Sequence, residues 1–247
     1  MIKLITLITK FIIAAIMALL FSSCMHTSIN LGNGIKGSGN ITTETRPANE
    51  NFRRIEVSNG IRVIVTQADN KSITVETDDN LQEHIITQIE NGVLKIKADK
   101  SYNATETPIV NVKTPLINGL KTDSGSEITS AGVLISENMN VKAESGSEIN
   151  IEVEADAIKM ESESGSSIEA SGKALKLETT SSSGSTIDAK NLMTNEVNAN
   201  SESGSNSSVY PIVKLDAKAS SGSSITYHKM PKTILEFHYS GGSVTKE

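Results

Sequence analysis

Tryptophan is absent from this 247-residue chain, aromatic residues make up 3% of it, and cysteine occurs once, as Cys24. A conventional globular core leans on large aromatic side chains, so their scarcity points to a thin core of stacked aliphatic residues. A single cysteine excludes an internal disulfide and a thiolate metal cluster. Arginine is confined to Arg46, Arg53, Arg54 and Arg62. The second half therefore has no guanidinium to hold or deprotonate an acidic sugar. No long helical pattern occurs beyond residue 24. The net charge of −6 argues against nucleic acid, which demands a basic face, and against attraction to anionic head groups.

What is present begins with an address. Met1 to Lys10 carries Lys3 and Lys10 and no acid, and Phe11 to Phe21 is an apolar run of 11 residues followed by Ser22, Ser23 and Cys24. A charged start, a short apolar stretch and small residues before a cleavage point read as a secretory signal. The run falls short of the ~20 apolar residues that span a bilayer, although extended back through Ile5 it approaches that length. Leu20-Phe21-Ser22-Ser23-Cys24 resembles a bacterial lipobox, with Phe21 where Leu is usual. It marks Cys24 for lipidation, each buried methylene of the lipid adding ~0.8 kcal/mol of membrane affinity. With Cys24 so used, no cysteine nucleophile remains. Residues 1–23 are read as a lipoprotein signal peptide. The rest has a charge of 21 − 29 = −8. Met25-His26-Thr27-Ser28 lacks an acidic cluster of the sort that resembles surface-export signals, which favours the periplasmic side of an outer membrane.

Residues 24–34, rich in Gly, Asn, Thr and Ser, read as a flexible tether. Residues 35–115 read as an N-terminal β-rich part. Ile35 to Thr45 is a candidate edge strand closed near Pro47. Ile55 to Val57 and Ile61 to Val65 alternate like half-buried strands, with Asn59-Gly60 as the turn between them. Ile73 to Thr77 is a further strand, Leu81 to His84 a single helical turn, and Ile85–Ile89 pairs with Val93–Lys97 across Asn91-Gly92 as a hairpin. The spacing of Leu81, Ile85 and Ile89 also suits a short helix. Ile109 to Lys113 is a strand ended by Pro115.

Residues 116–247 are dominated by a repeat. Ser-Gly-Ser-x-Ile occurs at Gly125 and recurs around Gly146, Gly165, Gly184, Gly204 and Gly222, degraded at Gly241, with the glycines 21, 19, 19, 20, 18 and 19 residues apart. Such self-similarity means one unit stacked on its own copies. Val141-Lys142-Ala143-Glu144-Ser145 and Leu175-Lys176-Leu177-Glu178-Thr179 alternate as strands with one buried face. A second alternating strand follows each glycine. The sequence thus predicts an all-β chain: a parallel β-helix-like solenoid of ~19-residue coils with a β-rich N-terminal cap. Ile128, Ile149, Ile168, Ile187, Ile225 and Val244 form one inward column, each worth ~1.5–3 kcal/mol on burial. Corner serines form polar columns. The Gly204 unit has Ser207 where Ile belongs and Val209 two residues late, which predicts a bulge or outward loop before Pro211.

Acids flank the corners. Asp123, Glu144, Glu163 and Glu202 precede Ser-Gly, and Glu127 and Glu148 follow Gly-Ser. Stacked carboxylates are a candidate Ca²⁺ site, but calcium solenoid motifs space Gly and Asp differently, so a solvated outer face is the preferred reading. Lys142, Lys159, Lys176 and Lys214 stand ready to neutralise them. Catalytic patterns are missing. His26, His84, His228 and His238 have no ligand-spaced third partner, the glycine corners lack a phosphate loop's Lys and helix, and no carboxylate pair is singled out. No catalytic residue, metal or cofactor is assigned.

Phe52-Arg53-Arg54-Ile55-Glu56-Val57-Ser58-Asn59-Gly60-Ile61, with Ile73 to Leu81, Asn91-Gly92-Val93-Leu94-Lys95-Ile96 and Pro108 to Leu120, resembles the opening of the auto-transporter adhesin head GIN domain family. The resemblance spans Ile35 to Val244. It implies a β-helix-like fold in secreted or lipid-anchored proteins of Bacteroidetes-type bacteria, and carries over no catalytic or binding residue. The expected function is a non-enzymatic, lipid-anchored envelope protein whose solenoid binds a glycan or an envelope protein. A carbohydrate-active lyase or hydrolase on a β-helix, and a structural spacer, are the alternatives.

Overall fold

The computed structural model describes residues 34–247. The signal segment, most of the tether, Cys24 and His26 lie outside the described residues. The elements in chain order are β1 (Ile35–Lys36), β2 (Ile41–Arg46), β3 (Arg54–Val57), β4 (Arg62–Gln67), β5 (Ser72–Asp78), a 3₁₀ turn (Asp79–His84), β6 (Ile85–Glu90), β7 (Val93–Ala98), β8 (Tyr102–Asn103), β9 (Ile109–Thr114) and β10 (Gly119–Thr122). Then come β11 (Glu127–Ala143), β12 (Glu148–Ser162), β13 (Ser167–Ser181), β14 (Thr186–Ser201), β15 (Asn206–Ser220), β16 (Ser224–Tyr227), β17 (Thr233–Tyr239) and β18 (Ser243–Lys246). Parallel pairing runs unbroken from β10 through β18, and the architecture is the expected parallel β-solenoid of stacked coils.

The corner is built by two residues rather than one. Ser124 and Gly125 both take positive φ (52° and 68°), as do the Ser-Gly pairs through Ser240-Gly241. Ser126 donates its N–H to the Asp123 carbonyl at 3.2 Å. Two consecutive left-handed residues closed by such a bond make a type I′ turn. The turns are also laddered: Gly125, Gly146, Gly165 and Gly184 each donate N–H to the carbonyl of the leading serine in the next coil, at 3.1–3.2 Å. The second serine of each corner is buried. Ser185 Oγ donates to Ser162 O (2.6 Å) and accepts the Ser182 N–H (3.1 Å). Ser205 and Ser223 repeat that pair of bonds. Each hydroxyl thus fastens its own turn and the coil before it, which is why serine recurs there. One such bond is worth about 0.5–1.5 kcal/mol net.

From one corner to the next the chain stays in strand through β11 to β15, and only the last coil breaks, between Tyr227 and Thr233. The connectors pair with their neighbours too, apart from local register shifts such as Thr129/Val133. Ile128, Ile149, Ile168, Ile187 and Ile225 form the inward column, each with no exposed surface. Val244 is only partly buried, because no further coil covers it among the described residues. Gly172 (φ 116°) is required by close approach: a Cβ there lies 2.2 Å from the Val153 carbonyl oxygen.

Ser207 corrects a sequence expectation. It forms no bulge and stays in register opposite Ile187, 2% exposed. Its hydroxyl lies 2.9 Å from both Ser181 Oγ and Ser201 Oγ, while Ser205 Oγ is 3.0 Å from Ser181 Oγ. Four inward hydroxyls satisfy one another in place of an aliphatic rung. The irregularities fall beyond it, opposite Ala189 to Met193 and opposite Thr194 to Glu196 of the preceding coil, the second between Pro211 and Lys214.

Asn59-Gly60 corrects another. β3 and β4 do not pair with each other. Each pairs in parallel with strands of other coils, β3 with β10 and β7, β4 with β11 and β9. Asn59 (φ 69°) and Gly60 (φ 71°) are a corner like the rest, and the Gly60 N–H donates to Ser124 O. Asn91-Gly92 does make the expected hairpin, joining antiparallel β6 and β7. The chain therefore lays one coil (β3, β4), detours, lays a second beneath it (β7, β9), and crosses back over the first to β10. Antiparallel β5 covers β9 and is flanked in turn by antiparallel β2, and β6 covers β7. The Ile35 to Thr45 segment is split into β1, which pairs with β8, and β2.

At this covered end Asp78 is fully buried. Its carboxylate accepts from Thr105 N–H (2.9 Å), Thr105 Oγ1 (2.7 Å) and Gly39 N–H (2.7 Å). Burial pushes its pKa up, but these donors outweigh burial and hold it below the ordinary value.

Candidate binding walls

Strand alternation turns every second residue outward, so stacking converts the repeat into columns on flat walls. The wall leading into the corners carries the charges. One column runs Lys121, Lys142, Glu161, Thr180, Asn200, Lys218 and Phe237; its neighbour runs Asn140, Lys159, Glu178, Asn198, Asp216 and Leu235. Coils repeat at ~4.8 Å along such a sheet, so like groups recur at that interval.

The acids and lysines expected to face each other meet only at one end. Glu144 is bound by Lys121 (2.6 Å) and Lys142 (3.0 Å), and Glu161 by Lys159 (2.7 Å). Lys142 also lies within 3.7 Å of Glu161 and Glu163. Hydrogen bonding to Lys121 holds Glu144 below its ordinary pKa, and Lys159 does the same for Glu161. Hydrogen bonding to Ser145 lowers Asp123. Arg62 takes Glu127 at 2.7 Å on the next wall. Lys176 and Lys214 make no ion pair among the described residues. They line a groove of about 650 Å³ together with Asn138, Lys159, Glu178, Glu196, Asn198 and Asp216. A smaller hollow lies where Gly119 has no side chain, beside Arg54, Lys121 and Lys142.

The wall after each corner is polar: Glu148, Ser167, Thr186, Asn206, Ser224 and Ser243 form one of its columns. The connector side differs. Ile135 (62% exposed), Leu175 (52%) and Met193 (51%) stand on it in the open, around a hollow shared with Glu154 and Lys173. Sequence reasoning missed this apolar patch, although the residues sit outward by simple alternation from buried Leu134, Ala174 and Leu192.

Among the described residues no group of three His, Cys, Asp or Glu side chains is placed to hold a metal. His84 is buried with Nδ1 at 3.0 Å from Asp99 Oδ1, and the Asp99 N–H returns to the His84 carbonyl. This pair, also unforeseen, ties the 3₁₀ turn to the end of β7. His228 lies 3.6 Å from Glu247, and His238 is exposed on β17. These three histidines do not converge. No helix among the described residues is long and apolar enough to cross a membrane.

The sequence profile of the family described as "Putative auto-transporter adhesin, head GIN domain" matches residues 51–231. The chain belongs to this family. The match takes in both the detour at the covered end and the repeats of this head GIN protein. Solved structures share its fold. A "putative adhesin" of Bacteroides fragilis is 18% identical with a TM-score of 0.79, covering 87% of this chain and 100% of its own. A "putative lipid binding protein" of Parabacteroides distasonis is 20% identical with a TM-score of 0.70, covering 86% and 99%. A "putative adhesin" of Parabacteroides merdae is 18% identical with a TM-score of 0.65, covering 87% and 100%. No curated protein matches the chain.

Proposed function

We propose that this head GIN protein is a lipid-anchored, non-enzymatic binding protein of the bacterial cell envelope. Cys24 carries the lipid, on the periplasmic side of the outer membrane, and the charged wall holds an extended glycan. The groove along β11 to β15 carries this reading. Its amides, lysines and carboxylates recur coil by coil along one line, which suits a polymer of repeating hydroxyl-bearing units better than a compact ligand. The wall carboxylates that depart from their ordinary pKa, Asp123, Glu144 and Glu161, are all shifted downward. A general acid at neutral pH needs the opposite shift, so none of these three is poised as one.

A glycan array probed with residues 25–247, which contain every described element, tests the wall. Binding that is lost in Lys176→Glu/Lys214→Glu supports it. Absence of binding to any glycan, or binding untouched by that variant, overturns it. Cys24→Ala should leave the protein unprocessed or soluble on fractionation, and unchanged membrane retention refutes the anchor. A second reading follows from exposed Ile135, Leu175 and Met193, since one protein of this fold is described as lipid binding. There the connector side takes up an acyl chain, and Leu175→Asp should abolish binding to a fluorescent fatty acid.

A further inference from the structure

Among the described residues the last edge of the solenoid is unpaired, and its residues are self-complementary. β17 pairs with β15 on one side only. In the columns below, Lys, Asp, Asn and Ser fill the outward positions, but β17 presents Leu235 (45% exposed), Phe237 (44%) and Tyr239 (53%). Nothing in the coil's own packing calls for large apolar groups there. The inward positions reverse too: Glu236 and His238 stand above fully buried Ala217 and Ala219.

The direction of the backbone groups can be read from the coils beneath. In the column of Tyr239, Glu144 donates its N–H down to Thr122 O (3.0 Å) and Glu202 to Ser181 O (2.9 Å). Leu235, Phe237 and Tyr239 therefore turn N–H and C=O toward β15, whereas Ile234, Glu236 and His238 turn theirs to the open edge. Two identical edges pair about a two-fold axis only in antiparallel fashion, with the outward-turned groups of one copy opposite those of the other. A centre on Glu236 meets that condition but sets carboxylate against carboxylate. A centre on Phe237 also meets it. It places Glu236 opposite His238 of the second copy, Phe237 opposite Phe237, and Leu235 opposite Tyr239. A carboxylate facing an imidazole N–H and aromatic pairs across strands are favourable combinations.

We propose that β17 is the pairing edge of a homodimer, two solenoids joined end to end about Phe237. This proposal does not depend on the glycan reading. Sedimentation velocity of residues 25–247, from micromolar to submillimolar concentration, should show a dimer. His238→Glu, which faces Glu236 with a second carboxylate, should weaken it ~10-fold or more. The exchanged pair Glu236→His/His238→Glu should restore it. Register is tested separately by cross-linking. Directly opposed residues of a non-hydrogen-bonded pair lie ~4.5 Å apart at Cα, within disulfide range. Phe237→Cys should therefore form a covalent dimer on oxidation, and Leu235→Cys should not. Unchanged circular dichroism and thermal midpoints confirm that each variant is folded. A monomer at every concentration overturns the proposal, as does an exchanged pair that fails to restore the dimer or a cross-link through Leu235→Cys in place of Phe237→Cys.

Discussion

The two ends of the solenoid solve one problem in opposite ways. A stack of parallel strands leaves a row of unpaired backbone groups and a bare apolar column at each end, both invitations to uncontrolled growth. At the first end the chain covers them: β5 runs antiparallel against β9 and carries β2 on its far side, β6 runs antiparallel against β7, and buried Asp78 cross-ties the cover. At the last end nothing in the described chain covers β17 and β18, and composition does the work, with Glu236 and His238 replacing the inward alanines. Covering is unconditional; a change of composition leaves an edge that a chosen partner can still use.

The hardest blow to this comparison falls midway between the ends. Ile168→Asp puts a charge into a dry column and should cost roughly 4 kcal/mol or more. The ends then lose the stack that joins them, and far-ultraviolet circular dichroism should show loss of folded protein at 25 °C. Asp78→Ala should cost about 2–3 kcal/mol by leaving Thr105 and Gly39 donors unpaired in a buried site. Amide exchange should rise in β2 and β5 and stay unchanged in β17. Ser185→Ala removes one inter-coil hydroxyl equidistant from neither end and should cost ~1–2 kcal/mol, read as a lower urea midpoint with the same slope.

Acid offers the finest discrimination. The Asp78 pKa is lower in the folded protein than in the unfolded chain. Its stabilisation is therefore complete above the ordinary carboxylate value and is lost as pH falls through the depressed one. Urea titrations at successively lower pH should show that loss in the native protein and less of it in Asp78→Asn. Exchange in β17 should be indifferent to the substitution.

The repeat and its inward column were legible in the sequence because a strand's period of two fixes the face once the corner is located. Asn91-Gly92 was legible for the same local reason. Asn59-Gly60 carries an identical signal and means something else: the dipeptide specifies the turn, while β3 and β4 find strand partners 65 residues further along the chain, as the Arg54–Gly119 and Arg62–Glu127 pairings show. Ser207 misled in a related way. Its satisfaction depends on Ser181, Ser201 and Ser205 arriving from adjacent coils, and no local pattern announces that. For the wall, the outward residues were readable one by one. The groove was not, since its depth depends on how five successive strands align.

The crossing at the first end has a mechanical consequence. The outermost coil there comes from residues 93–114, well inside the chain, while the segment that begins at Gly34 leads into β1 and then β2. A load applied through that segment cannot unspool the stack from its tip. It must first part β1 from β8 and then β2 from β5, where six residue pairings hold. A pull on that segment is thus met by the paired strands of the covered end before it reaches any coil of the stack.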